Sequence, residues 1–528
     1  MHATSDQPAS LWRPLKNPTF RNLILANVVS DIGTFMQSVG AAWLMVSLNS
    51  GPMLVALTQT ASALPFFLLA LPAGSIGDIV DRRKLILFTE TWMVAIAILL
   101  AALTLAGHMS PVLLLVLTFA LSAGDAIESP AWRAILPEVV AKEDLAAASA
   151  LNGIEFNLAR ATGPALAGLL IAAAGVGPAF LINAISFVGV IVVIARWKRP
   201  VQKRMSPPET LTGATVAAIR YVRYSPQIKV LLIRSGIGMF FASALLALLP
   251  SLAHSVSPSP VSYGILLGCF GSGAVLGALL MQRARARWST EKVVTIGIAA
   301  FAVATMLAGA LHNIPALAAV MLAGGAAWIV FISLFNVLVL NLTPDWVRAR
   351  VLAVNMLVFM GGMAGGSATW GAVADRFGIH SALLWAGVGT LATTSLGLFL
   401  RLPEAPADLS AWNHWRVPMV DEATISDEND AGPVLVTVEY EVIPERTAEF
   451  VKAVHQYGRI RRRDGASRWG IFRDIENAER FVESFIVASW AEHLRQHERL
   501  TKADRELEER LNAYIRHEPI VHHLIYAE

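Results

Sequence analysis

Two ionisable side chains lie deep inside long apolar stretches, each with an amide on its own helical face. Asp31 comes about nine residues into an aliphatic run, with Asn27 one turn before it. Arg160 lies similarly deep in a later run, with Asn157 three residues earlier. Charge inside a bilayer is costly and usually serves the movement of an ion or substrate. A buried carboxyl holds its proton tightly, and a neighbouring guanidinium loosens it. An Asp31–Arg160 pair that parts during a conformational change would therefore alter proton affinity, the chemistry a proton-coupled transporter needs. A permanent structural ion pair, or an Asp31 hydrogen-bonded within its own bundle, is the alternative. Glu155 sits nearer the end of the Arg160 run, and Asp125 and Glu128 near the end of another. The last two read as gate pairs with Arg133, Arg348 or Arg350, or as a solvated rim. Arg234, close to the start of its run, can snorkel and needs no functional role.

Composition requires a membrane protein. The 528 residues are 55% hydrophobic and 15% charged, with a mean hydropathy of +0.55. Twelve apolar runs precede residue 402, at about 22–48, 53–76, 85–106, 111–130, 145–173, 177–196, 228–252, 261–283, 290–311, 314–341, 347–373 and 380–401. Each can cross a hydrocarbon core of about 30 Å. The first contains Asn27 and Asp31 and is too long for a signal peptide. With the N-terminus inside, the inner segments hold 23 Lys and Arg and the outer loops only Arg376. That bias fixes a multi-pass protein with both termini in the cytoplasm. The lone Cys269 excludes an internal disulfide.

The net charge of +3 conceals two parts: +11 up to Arg401 and −8 from Leu402 onward. The basic excess is a topology signal and does not point to nucleic acid. Residues 1–196 form a first six-helix bundle, 197–227 a central loop with an amphipathic helix near Leu211–Tyr224, and 228–401 a second bundle. A linker, 402–432, leads to a soluble domain, 433–528. There the order β-α-β-β-α-β predicts a small ferredoxin-like α+β domain: strands at 434–442, 468–473, 480–488 and 520–526, helices at 445–461 and 490–515, the latter broken near Leu500. The expected fold is thus an all-α membrane protein of 12 transmembrane helices plus that domain.

Between the second and third runs lies Gly74-Ser-Ile-Gly77-Asp78, then Asp81-Arg82-Arg83-Lys84. It resembles the signature loop of major facilitator superfamily transporters: a Gly, an Asp four residues on, and a basic pair after a Gly, here replaced by Asp81. The Asp-Arg-Arg variant is similar to the branch that includes the enterobactin exporter and the transmembrane secretion effectors. The resemblance covers about 400 residues. It implies that Gly74, Gly77, Asp78, Asp81, Arg82 and Arg83 act at a conformational gate, that helices five and eight face each other, as do two and eleven, and that two halves rock to give alternating access. Gly163, Pro164 and Gly168 of Arg160-Ala-Thr-Gly-Pro-Ala-Leu-Ala-Gly168 resemble the helix-five motif of antiporter branches, with Ala167 in place of a glycine. As plain chemistry, Pro164 bends the helix, Gly163 makes room for the bend, and the i,i+4 glycines of helices eight and eleven are packing surfaces.

The tail, through Val438-Glu-Tyr440, Arg463-Asp-Gly-Ala466, Phe481-Val-Glu483 and Ser489-Trp490, resembles the dimeric α/β-barrel family that includes antibiotic-biosynthesis monooxygenases. The resemblance leaves open a tail that dimerises, senses, docks a cytoplasmic partner or modifies a substrate. His493 and His497 are spaced i,i+4, but no ligand set completes a metal site, and they read as part of a surface helix. No cofactor motif and no ATP-binding Gly-x4-Gly-Lys-Ser/Thr loop is present. The expected function is export of a small organic molecule across the inner membrane by proton antiport, not catalysis. Proton-coupled uptake and a membrane-anchored monooxygenase-like enzyme are the rivals.

Overall fold

A computed structural model describes residues 10–197, 211–402, 408–410, 412 and 432–526. Of the sites read from the sequence, the side chains of Gly74, Gly77 and Asp78 lie outside the described residues, as do most of the central loop before 211 and most of the 402–432 linker. The membrane helices are α1 (Pro18–Ser47), α2 (Pro52–Ile79), α3 (Arg82–Leu105), α4 (Pro111–Val139), α5 (Leu145–Ala174) and α6 (Gly177–Arg196). After the short α7 (Leu211–Tyr224) come α8 (Pro226–Val256), α9 (Pro260–Arg287), α10 (Thr290–Ala310), α11 (Ile314–Asn341), α12 (Asp345–Phe377) and α13 (Ile379–Ala392), the last prolonged by a tight turn and α14 (Leu396–Phe399). Among the described residues twelve spans, α7 not among them, are long and apolar enough to cross a membrane. Local chemistry starts and stops them. Pro18, Pro52, Pro111, Pro226 and Pro260 open helices where a missing N–H costs nothing. Asn17, Asp81, Ser110 and Ser289 cap four N-termini with side-chain oxygens.

The chain divides into two compact units. The first comprises Met1–Pro207, Ile233–Phe335 and Asn355–Arg401. Its helices pack as α2 with α4, α3 with α6, α1 with α5 and α6, and α10 with α13, while α5 meets α9 across the two halves. Arg82–Lys84 at the start of α3, Arg133 in the last third of α4 and Arg283–Arg287 at the end of α9 mark a basic end. At the opposite end one large cluster, including Val39, Met45, Leu100, Ile171, Phe180, Leu249, Phe270, Leu317 and Leu383, unites both halves. At the basic end the cluster of Phe20, Ile86, Ile135, Leu151 and Ile194 belongs to the first half alone. The halves are therefore joined where loops such as Leu48–Gly51 and Ser257–Ser259 lie.

The second unit gathers Pro208–Leu232, Asn336–Val354 and Leu402–Glu528. It holds β1 (Val434–Glu441), α15 (Thr447–Asp464), β2 (Ser467–Arg473), β3 (Arg480–Val487), α16 (Trp490–Glu498), α17 (Lys502–Asn512) and β4 (Ile520–Ile525). The antiparallel sheet runs β2-β3-β1-β4. The β1 residues Val434, Val436, Val438 and Tyr440 alternate inward and pair with Val487, Phe485, Glu483 and Phe481 on the buried face. The break read near Leu500 separates α16 from α17, where Thr501 and Asp504 form a capping box. The unit is larger than the 433–528 domain read from the sequence, because α7 and the chain around Leu342–Trp346 belong to it. Arg220 pairs with Glu492 at 3.0 Å and donates to the Arg463 carbonyl at 3.2 Å. The Tyr221 hydroxyl donates to the Leu342 carbonyl at 3.2 Å, and the Arg499 guanidinium sits 4.7 Å over the Trp346 ring.

Candidate functional site: a carboxylate cavity in the first half

Within the first unit, α1, α3, α4, α5 and α6 enclose a cavity of about 400 Å³. Each helix presents residues at i, i+3 and i+4 spacing, so one face lines it. From α1 come Asn27, Ser30, Asp31, Thr34 and Phe35, from α3 Glu90 and Met93, and from α5 Asn152, Glu155 and Phe156. Asp125, Glu128, Trp132 and Arg133 enter from α4. Five carboxyls thus share the space with one guanidinium. The Asp31 and Glu155 carboxyls face each other, as do those of Glu90 and Glu128. Thr89 donates a 2.6 Å hydrogen bond to Glu128 Oε2. Among the described residues no donor reaches Glu90 Oε2 or Glu155 Oε1, although the two residues are only 3% and 6% exposed. Facing carboxylates need a shared proton or an added cation, since removing two like charges from water is expensive.

The structure unites part of the sequence-derived site and separates the rest. Asn27, Asp31 and Glu155 line the cavity, whereas Arg160 and Asn157 do not. Asn157 donates to the Gly153 carbonyl of its own helix. Among the described residues no ion pair joins Arg160 to Asp31, and of the two only Asp31 lines the cavity, so the Asp31–Arg160 pair is absent. The reason is helical phase: Arg160 is five residues beyond Glu155, about 140° around the helix. Asp125, Glu128 and Arg133 share the cavity, while Arg348 pairs with Asp345. Glu90 escaped the sequence reading. Its signal was an acid inside the apolar run 85–106, the same signal that marked Asp31.

The gate residues are anchored within the first half. Asp81 caps α3 by accepting from the Lys84 N–H at 3.1 Å. Arg82 pairs with Glu138 of α4 at 2.6 Å, and Arg83 donates to the Ile194 carbonyl at the end of α6 at 3.0 Å. Arg234 does not snorkel: it is 3% exposed, paired with Glu291 at 2.8 Å and bonded to the Leu400 carbonyl.

The two seams that the family resemblance implies are both formed between the halves. In the first, Gly168 of α5 meets Gly264 of α9; a Cβ on Gly264 would lie 2.8 Å from the Pro164 carbonyl oxygen and 3.0 Å from the Gly168 Cα. In the second, Thr60 of α2 donates to the Ala364 carbonyl of α12 at 3.0 Å. Gly163 lies against Phe35 and Ile32 of α1, so its small size admits α1 at close range. At the opposite end Trp43 stacks on Tyr263 with centroids 6.4 Å apart and meets His254 edge-on at 5.6 Å.

In the second unit, His493 is not a surface residue. It is 1% exposed and packs against Trp490 and the His523 ring. Burial, with His523 and Arg461 nearby, lowers its pKa to about 4. Among the described residues no group of three ligating side chains is placed to hold a metal ion.

A family model described as transmembrane secretion effector matches residues 9–528. The chain belongs to that family. The match extends through the C-terminal domain. The staphyloferrin A transporter of Staphylococcus aureus is 23% identical over 70% of this chain and 93% of its own length. The multidrug efflux pump Tap of Mycolicibacterium fortuitum is 25% identical over 72% and 94%. The enterobactin exporter EntS of Salmonella typhimurium is 27% identical over 50% of this chain and 63% of its own. Among solved structures, a mutant of the nucleoside transporter NupG superposes with a TM-score of 0.62 at 14% identity, covering 72% of this chain and all of that one. An inward-facing, unoccupied bacterial homologue of the lysosomal transporter Spinster gives 0.56 at 13% identity over 74% and 96%. The membrane part has the major facilitator fold, and the protein is a multi-pass membrane transporter.

Proposed function

We propose that the protein exports a small organic molecule by proton antiport, with alternating access about the α5–α9 and α2–α12 seams. The observation that carries the proposal is the cavity in which Asp31 faces Glu155 and Glu90 faces Glu128. Such pairs take up a proton when like charges are forced together and release it when they part or meet a cation. Relatives named as exporters support the outward direction. The charge bias of the loops supports an inner-membrane protein with both termini in the cytoplasm. The cavity then belongs to a state closed at the outer end by the shared apolar cluster and the Trp43–Tyr263 stack.

In this reading the C-terminal domain is a non-catalytic module. Exposed Phe472, Ile520 and Leu524 on its sheet support self-association into a homodimer, which light scattering on the purified full chain would read. The export reading is tested by comparing metabolites released from cells with no copy, the wild type, or Asp31→Asn. A compound released only by the wild type is expected. Uptake in place of release, or release undiminished by Asp31→Asn, contradicts it.

A further inference from the structure

We infer that the cavity is a binding site for a lipophilic organic cation, and that the cargo is of this chemical class. As a statement about cargo, it rests on the transport reading above. As a statement about the site, it stands on geometry. Four elements contribute the facing charges: Asp31 from α1, Glu90 from α3, Asp125, Glu128 and the opposing Arg133 from α4, and Glu155 from α5. One guanidinium cannot balance five carboxyls. Glu90 Oε2 and Glu155 Oε1 meet no donor among the described residues, on side chains more than nine-tenths buried, so each pair holds together only with a shared proton or with positive charge brought in from outside. Buried acceptors without a donor are costly, and a ligand that supplies positive charge relieves that cost.

The rest of the lining says what carries the charge. Phe35, Phe156, Trp132 and Phe187 contribute aromatic surface, with the Phe35 and Phe156 rings 5.7 Å apart. Aromatic faces favour cations that are large and weakly hydrated. The carboxyls are spread around a space of about 400 Å³ and do not converge on a point. A diffuse organic cation matches that spread, whereas a bare divalent ion needs several oxygens within about 2.6 Å. An anionic cargo would meet five acids and a single base. Because protons and the cation compete for the same carboxyls, cation affinity should rise with pH.

The test uses two probes of nearly equal size and opposite charge, tetraphenylphosphonium and tetraphenylborate, with the purified full-length protein in detergent and a protein-free detergent blank. Equilibrium dialysis is expected to show saturable tetraphenylphosphonium binding that strengthens from about pH 6 to about pH 8.5, with no saturable tetraphenylborate binding. Glu90→Gln and Glu155→Gln should each weaken it by roughly tenfold or more. Should a variant fail to fold, the wild-type contrast between the probes decides alone. Equal binding of both ions, binding indifferent to pH, or binding unchanged in both folded Gln variants overturns the inference. If no cation binds while the wild type still releases a metabolite that Asp31→Asn does not, the cation inference falls and the export reading stands. If the cation binds as expected but no compound leaves cells, the export reading falls and the site stands.

Discussion

The Gly168–Gly264 contact sets a measurable conformational bias. In this structure α5 and α9 touch through backbone, and Gly264→Ala would put a methyl 2.8 Å from the Pro164 carbonyl oxygen, against a neighbour that has no side chain to move aside. Overpacking of this kind costs about 1–3 kcal/mol. The cost falls only on the state in which the seam is closed. It should therefore shift the equilibrium away from that state by about 5- to 150-fold. Spin labels at Ser47→Cys on α1 and Ser255→Cys on α8, in a Cys269→Ser background, would span the end where the large cluster joins the halves. Double electron–electron resonance should show the short-distance population falling in Gly264→Ala and a longer one growing. Gly325→Ala is the control: its methyl would collide with the Phe270 carbonyl inside the second half, so it should lower thermal stability without moving the distances between halves. An unchanged distance distribution in a folded Gly264→Ala protein would refute the seam as a rocking surface.

Arg234→Ala should lower unfolding stability by on the order of 3 kcal/mol, because it removes the buried ion pair to Glu291 and the hydrogen bond to the Leu400 carbonyl; thermal unfolding in detergent reads this. Arg220→Ala should loosen α7 from the C-terminal domain and raise protease cleavage around residue 225, since it removes the Glu492 ion pair and the bond to the Arg463 carbonyl. That attachment should persist at mild acidity: burial would raise the Glu492 carboxyl, but Arg499, Arg495 and Arg220 outweigh it and hold it at about 2. Its stabilisation, present above the ordinary carboxylate range, is lost only as pH falls towards that value. His493 behaves oppositely to a paired histidine. With its pKa lowered from 6.5 to about 4, the folded domain favours the neutral ring, so stability is full above pH 6.5 and declines as pH falls to about 4. The loss should be about 3 kcal/mol and should be absent in a folded His493→Phe variant, as followed by Trp fluorescence against pH.

Much of the membrane architecture was legible because hydropathy and loop charge act one residue at a time. The twelve spans, the short α7 and the strand order of the tail follow from patterns that neighbouring residues carry. The site was legible only where one side chain sufficed as a signal. Asp31 and Glu155 stood out as acids in apolar runs, and both line the cavity. Their partners did not follow, because partnership depends on helical phase and on which helices touch. Arg160 looked like the counter-ion by depth, yet its angle around α5 takes it away from Glu155. Glu90 meets Glu128 only because α3 packs on α4, a contact no local pattern states. His493 read as exposed because β4, which covers it with His523, lies 30 residues later in the chain.

The account's central claim is that protonation of the facing carboxyls sets which way the transporter opens. The same spin-label pair tests it without knowledge of the cargo. Distances would be measured from about pH 5.5 to about pH 8.5 in the wild type and in Asp31→Asn/Glu155→Gln, whose amides cannot titrate. The account predicts a pH-dependent redistribution between short and long distances in the wild type and a fixed distribution in the double variant. A wild type that ignores pH, or a double variant that follows it equally, would contradict the claim.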